Sequence, residues 1–364
     1  MWRTIGQQST VERLSRGVAE GITHHAYLFL GPKHVGKRTL AIDLACALNC
    51  IGDGVPCGAC RACIRILDGK HADIHAITLD DVGSAEDLEI EEEGRKRRTR
   101  ILTEQIEDLQ HASTLPPYEG RFKVMLVEHA DRMTNEAANR ILKVLEEPPP
   151  QVVWMLLAEN ESRMLETVVS RCQRIDVREV PVAQLEGYLL EGYGASPEQA
   201  KLLARISRGR SGWALQALAD ETLLKERAGR LETAIQLLSM TYAARFEVSR
   251  ELDAMYRRDP RSVIDTLDQW TTWGRDLLLV KTGCAENVGN IDYIHDMNEQ
   301  AQRLSLEQIR DYIGKLTEAR RDLDLNLIAR LVFDSLVYTM PRITMPARGP
   351  GVQPVVLQDR SETQ

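Results

Sequence analysis

The chain has 364 residues, 43% of them hydrophobic but only 5% aromatic, and a formal net charge of −8. Its length predicts two or three domains, and its acidic balance argues against a nucleic-acid grip built on bulk positive charge, because phosphate binding draws on a local excess of Lys and Arg. The N-terminus MWRTIGQQ has no apolar leader, and no apolar run nears the ~20 residues that span a bilayer; a cytoplasmic chain is expected, in which seven cysteines point to metal before disulfides.

The first apolar run, AYLFL at 26–30, ends at Gly31, and a helical pattern follows over 37–49. That order is strand, Gly-rich turn, helix. Four cysteines follow between Cys50 and Cys63, and then a predicted strand at 74–79 (IHAITL). The segment 80–100 runs EDLEIEEE into RKRRTR and reads as a solvated, mobile loop. A helix is expected over 101–113, a buried strand at 123–127 (KVMLV), and a helix over 134–147 that must stop at Pro148-Pro149-Pro150. VVWMLLA at 152–158 is a further buried strand; a helical pattern and a short last strand at 174–177 follow. Apolar strands alternating with helices predict a parallel sheet covered on both faces. Beyond Val182 strand signals nearly vanish, leaving helical blocks at 182–220 and 221–344 and a Pro/Gly-rich tail read as disordered.

Gly31-Pro-Lys-His-Val-Gly36-Lys37 lies between a strand and a helix, the setting a phosphate loop requires. Glycines let backbone N–H groups turn to phosphate oxygens, the helix terminus adds its dipole, and Lys37 is placed for the β- and γ-phosphates. The Ser/Thr that ordinarily follows the lysine and holds Mg²⁺ is here Arg38, with Thr39 one place late. One helical step turns a side chain by about 100°, so Thr39 is a poor substitute. At the end of KVMLV, where a hydrolysing ATPase of this type carries Asp-Glu, the chain has Glu128-His129, with Asp131 further on. A longer carboxylate displaces the metal position, and a near-neutral histidine is a different base in a different place. Weak ATP binding with little or no turnover is expected.

Cys50, Cys57, Cys60 and Cys63 place four thiols within a short loop rich in turn residues. Four thiolates suit a closed, structural Zn²⁺ site. An iron–sulfur cluster also uses a Cys-x2-Cys-x2-Cys run, but its fourth cysteine three residues on is here Leu67. Cys46, Cys172 and Cys284 stand outside the cluster and read as ordinary small residues.

Together these features resemble the clamp-loader subunits of bacterial DNA polymerase III. The resemblance runs over about 4–344 and rests on Ile5-Gly6-Gln7-Gln8, on His25-Ala-Tyr-Leu-Phe29 before the phosphate loop, on the four-cysteine insertion, on NRILKVLEEPP from Asn139 to Pro149, and on Ser170-Arg171-Cys172. Arg38, the Glu128-His129 pair, and Gly212 where the motor subunits carry a lid arginine place the chain with the delta-prime branch rather than with the gamma/tau motors. An active gamma/tau-type ATPase subunit is the alternative. The resemblance implies an AAA+ P-loop αβα domain with a zinc module over 1–178, a small helical lid over 179–220, a helical collar over 221–344 and a tail over 345–364. It implies a subunit that assembles with gamma/tau and delta and meets the sliding clamp and primer-template DNA through the complex. It further implies that Arg171 is presented in trans to ATP on a neighbouring motor subunit, where a planar guanidinium neutralises charge in the transition state. Outside that constellation, an arginine at a strand edge would read as a surface ion pair.

Overall fold

The computed structural model describes residues 1–79 and 100–343. The charged 80–100 segment, apart from Arg100, and the tail expected to be disordered lie outside the described residues. The chain divides into two compact units: Met1–Gly194 with Arg208–Ala214, and Ala195–Ser207 with Leu215–Gln364.

The first unit holds a five-stranded sheet, β1 (Ala26–Leu30), β2 (Ile74–Ile77), β3 (Lys123–Val127), β4 (Val152–Ala158) and β5 (Gln173–Asp176), in the order β2-β3-β4-β1-β5. Every pairing is parallel; Ala26 stands opposite Trp154 and Tyr27 opposite Gln173. Parallel neighbours need crossover connections, and right-handed crossovers decide which face each helix covers. The step from β1 out to β2 runs one way along the sheet, whereas β2 to β3, β3 to β4 and β4 to β5 run the other way. Accordingly α2 (Lys37–Asn49) and α3 (Arg61–Leu67) pack on one face, against Tyr27, Phe29, Val124, Leu126 and Met155, and α1 (Gln8–Ala19), which precedes β1, packs there too. Helices α4 (Thr103–Thr114), α5 (Asn135–Glu146) and α6 (Glu166–Val169) pack on the other, against Leu28, Met125, Val127, Trp154 and Leu156. The period-two alternation of strand side chains sends successive residues to opposite cores. Both faces are covered, which is why these strands read as unbroken apolar runs.

Strand order reverses at β1, the place where open α/β sheets take ligands outside their carboxyl ends. The phosphate loop leaves β1 there. Local sequence sets the helix ends that matter. Thr134 caps α5 by accepting the N–H of Ala137, and Glu147 ends that helix ahead of the three prolines. The expected strands at 26–30, 123–127 and 152–158 and the helix at 37–49 are found with those limits. The expected 74–79 strand ends at Ile77, and the helical pattern after β4 becomes a 3-10 turn (Glu161–Arg163) and the four-residue α6. Helix α1 is an addition to the expected elements. Asp43 of α2 holds the start of the chain, accepting from the backbone N–H groups of Arg3 and Thr4, from Arg3 Nε at 2.8 Å and from Thr4 Oγ1.

This unit also contains α7 (Val182–Tyr193) and the glycine-bearing segment Arg208–Ala214. The second unit is helical, as its sequence predicts: α8 (Pro197–Ser207), most of α9 (Ser211–Ala219), α10 (Thr222–Leu237), α11 (Tyr242–Arg258), α12 (Pro260–Lys281), α13 (Ile294–Arg303), α14 (Leu306–Asp324) and α15 (Ala329–Thr339). Its core centres on the fully buried Trp270 and Trp273, whose indole N–H groups donate to Arg230 O and Gln300 Oε1. Arg245, also fully buried, donates to the carbonyls of Leu237, Leu238, Val337, Met340 and Pro341. One guanidinium thereby satisfies the orphan carbonyls at the C-terminal ends of α10 and α15. Among the described residues, no helix is long and apolar enough to cross a membrane.

Candidate nucleotide site and cysteine knuckle

The phosphate loop is shaped by backbone rather than by bulky side chains. Gly31 donates its N–H to Ala158 O, and a Cβ on it would lie 2.0 Å from Val177 O, so no other residue fits. Gly36, at φ 96°, turns the chain into α2. His34 takes a positive φ of 62° without being glycine, and its carbonyl accepts the N–H of Gly212 at 2.7 Å. A Cβ on Gly212 would come within 2.8 Å of that carbonyl, so the close approach depends on the missing side chain.

The Lys37 ammonium donates to the carbonyls of Gly31 and Pro32, each at 2.6 Å, and so closes over its own loop. Burial lowers its pKa, against the opposing pull of Glu159 and Asp131. Arg38, at the position of the metal-binding hydroxyl, reaches across to β3: its Nε donates to Glu128 Oε1 at 2.7 Å. Both residues were singled out separately in the sequence; their pairing was not foreseen. Thr39 is half-buried beside it. His129 adopts a left-handed conformation at φ 55°, and its Nδ1 lies 3.9 Å from Glu159 Oε1. Asp131 is buried, with Oδ1 lacking a hydrogen-bond partner. Glu159 is the site residue that sequence reading missed. Its signal was position: it follows directly on β4, which lies beside β1, but that adjacency follows from strand order and not from spacing along the chain.

Arg171 lies between α6 and β5. Its guanidinium donates to Thr167 O at 2.9 Å and pairs with Glu146 Oε1 of α5 at 2.8 Å, with about a third of its side chain exposed (36%). Glu146 opens the Glu-Glu-Pro-Pro stretch, so two of the segments that carry the resemblance meet here. The neighbouring Cys172 thiol is pushed by burial up to about 12, and the buried Cys46 up to about 11, as expected of unreactive packing residues.

Cys50, Cys57, Cys60 and Cys63 come together between the end of α2 and the start of α3, with all four sulfurs within 4.8 Å of one another. A tetrahedral Zn–S shell has sulfur–sulfur edges of about 3.8 Å, and Cys57 and Cys63 already lie 4.0 Å apart. Backbone N–H groups turn inward to the sulfurs: Cys57 to Cys50 Sγ at 3.3 Å, Cys60 to Cys57 Sγ at 3.2 Å, and Cys63 to Cys60 Sγ at 3.5 Å. Burial acts to raise the Cys60 thiol, but N–H groups of Cys63 and Ile51 and the neighbouring thiols bring it down to about 6. Donors aimed at sulfur stabilise thiolate, the ligand form. This cluster can bind a metal ion, and its donor set fits one. Its base is tied to the sheet: Asn49 accepts the N–H of Phe122 at 2.9 Å, and Asp73 accepts those of Tyr118, Glu119 and Gly120.

Residues 6–181 match the family described as DNA polymerase III, delta subunit. The DNA polymerase III subunit delta' of Bacillus subtilis is 26% identical over 92% of this chain and 97% of its own length. The DNA polymerase III subunit tau of Escherichia coli is 33% identical over 60% of this chain, which spans only 32% of that longer protein. A solved gamma subunit-related protein of Thermotoga maritima is 19% identical, with 90% of this chain and 97% of that one covered and a TM-score of 0.47. In sequence, the chain is similar to the delta-prime subunits of bacterial DNA polymerase III and to their gamma/tau relatives.

Proposed function

We propose that the chain is the non-hydrolysing or weakly hydrolysing subunit of a DNA polymerase III clamp loader, which helps place the sliding clamp on primed DNA. The observation that carries this reading is the Arg38–Glu128 ion pair, which ties together the two positions that would otherwise hold magnesium. Gly31, Gly36 and Lys37 keep the phosphate cradle, so the site retains weak affinity for nucleotide without a route to hydrolysis. Losing a positioned general base alone removes ~10²–10⁴ in rate. Arg171 acts in trans, offered to ATP on the adjacent gamma/tau subunit; it must first leave Glu146. Cys50, Cys57, Cys60 and Cys63 hold one Zn²⁺ that closes the knuckle and leaves no position for water. The reading assigns 1–178 to the nucleotide-binding domain, 179–220 to the lid and 221–344 to the collar that joins gamma/tau and delta.

Reconstitution with gamma/tau and delta, followed by mass measurement, tests the assembly. The chain should enter a stable complex, and an isolated chain that never does so refutes the reading. ATP turnover of the purified chain separates it from an active motor subunit. Turnover should be negligible and unchanged in Lys37→Ala. Robust hydrolysis abolished by that substitution would install the motor reading instead.

A further inference from the structure

A divalent cation has no natural place beside this phosphate loop. In a hydrolysing P-loop site, Mg²⁺ bridges the β- and γ-phosphates and is held by the hydroxyl after the lysine and by a carboxylate at the end of a neighbouring strand. Here the first position is Arg38 and the second Glu128, and the two bond to each other at 2.7 Å. A positive charge that is covalently part of the chain thus links the two positions that would hold the ion. A metal entering there would have to displace the guanidinium from its carboxylate and then sit beside a like charge.

We propose that this loop is a metal-independent site for a nucleoside di- or triphosphate, in which Arg38 takes the place of magnesium. This deepens the reading of the loop as a degenerate nucleotide site and rests on that part of it, not on clamp loading. Arg38 suits the role. Its side chain is 63% exposed and rooted in the first turn of α2, so its release from Glu128 would disturb no core. A guanidinium presents a planar fork that matches two phosphate oxygens, and it never loses its charge. Lys37, now bonded to the carbonyls of Gly31 and Pro32, supplies the second cation when phosphate oxygens replace those carbonyls. Two side-chain cations beside the loop N–H groups offset polyphosphate charge without an ion. Glu128 is then a competitor for Arg38 and not a ligand, and it keeps affinity low.

The test is equilibrium binding of fluorescent N-methylanthraniloyl ADP and ATP to the full chain, in EDTA and in millimolar magnesium, with circular dichroism melts of each variant as a folding control. Wild type should bind in EDTA at least as tightly as in magnesium. Lys37→Ala should abolish binding in both. Arg38→Ala should weaken EDTA binding by about tenfold, the scale of one lost charge-assisted contact. Arg38→Ser, which restores a hydroxyl, should bind more tightly with magnesium than without. Glu128→Gln should tighten EDTA binding by freeing the guanidinium. The proposal is overturned if magnesium tightens wild-type binding by about tenfold or more, if Arg38→Ala binds like wild type in EDTA, if Lys37→Ala retains binding, or if wild type binds in neither condition. Assembly with gamma/tau and delta is measured separately, so clamp loading can fail while nucleotide binds without metal, and the reverse.

Discussion

The cysteine knuckle and the phosphate loop lie at opposite ends of the same helix, α2, and differ in what they have kept. At its C-terminal end the knuckle presents a complete ligand set: four sulfurs gathered within 4.8 Å, with N–H groups aimed at them. At its N-terminal end the loop keeps its backbone cradle and its lysine, while the two side chains that would hold a metal have become an ion pair with each other. A structural metal site fails when any ligand goes, because one missing thiolate opens the tetrahedron. A catalytic metal site can lose its ligands and leave the fold intact, because the loop geometry is held by Gly31, Gly36 and the contact of Gly212 with His34. Along one helix, then, a complete set of metal-ligand atoms stands at one end and an ion pair at the other.

The largest effect that could break this contrast is removal of the metal that the knuckle is proposed to hold. Purified protein should contain about one zinc per chain by elemental analysis. Chelation, or Cys63→Ser, should lower Tm by on the order of 10 °C, since structural zinc carries folding free energy outright and each kcal/mol shifts a domain of this size by about 2–4 °C. Iron with visible charge-transfer absorption, or a melt indifferent to chelator, removes the structural role. Lys37→Ala, at the other end of the same helix, should leave Tm nearly unchanged.

A smaller effect is expected where the knuckle rests on the sheet. Asp73 is fully buried and accepts three N–H groups; burial acts to raise its carboxyl, but those donors from Tyr118, Glu119 and Gly120, aided by His71, hold it below the usual range. Its contribution is therefore complete above the unfolded value of about 3.9 and is lost as pH falls through the lower folded value. Asp73→Asn should cost about 1.5–3 kcal/mol at neutral pH, the range for hydrogen bonds to a charged group. Urea melts in a pH series should show the difference from wild type shrinking only below pH ~4. A constant difference down to the acid transition would mean that the charge itself contributes nothing.

The loop end can be tested through Gly212. Adding a methyl group there places carbon 2.8 Å from the His34 carbonyl, which belongs to backbone and cannot swing aside. Gly212→Ala should cost about 1–3 kcal/mol, the usual penalty of overpacking, while zinc content stays at the wild-type level. A variant as stable as wild type would mean that the segment and the loop separate freely.

Much of this was legible in the sequence for physical reasons that differ by region. Strands buried on both faces read as apolar runs, so β1, β3 and β4 stand out in AYLFL, KVMLV and VVWMLLA. The knuckle was legible because its ligands are close in sequence. Glu146 beside Arg171 and Arg38 beside Glu128 were not, since each pair joins distant residues through strand order. Asp43 was hidden differently. Inside a helix its carboxylate resembles any surface acid, and only the fold shows it receiving four hydrogen bonds from the start of the chain.

The smallest expected stability effect concerns Arg171, where folding and function separate most cleanly. Its contact with Glu146 is a partly exposed ion pair, and such pairs contribute about 0–1 kcal/mol. Arg171→Ala, Glu146→Gln and the double variant should therefore each lie within about 1 kcal/mol of wild type in urea melts, with a coupling at the lower end of that range. Turnover in the reconstituted loader should not follow stability. An arginine that reaches a neighbouring γ-phosphate must abandon Glu146, so Glu146→Gln should keep or slightly raise turnover while Arg171→Ala lowers it. Arginine fingers reach ~10³–10⁵ where one finger serves one site; if the complex holds several motor sites and Arg171 serves only one of them, the loss should be much smaller. Arg171→Lys should rescue only in part, since an ammonium lacks the planar two-donor fork. Size-exclusion chromatography of the same samples should show an intact complex throughout. If Arg171→Ala leaves turnover unchanged in an intact complex, the contact with Glu146 is the whole of its role; if the complex falls apart, Arg171 is an assembly residue.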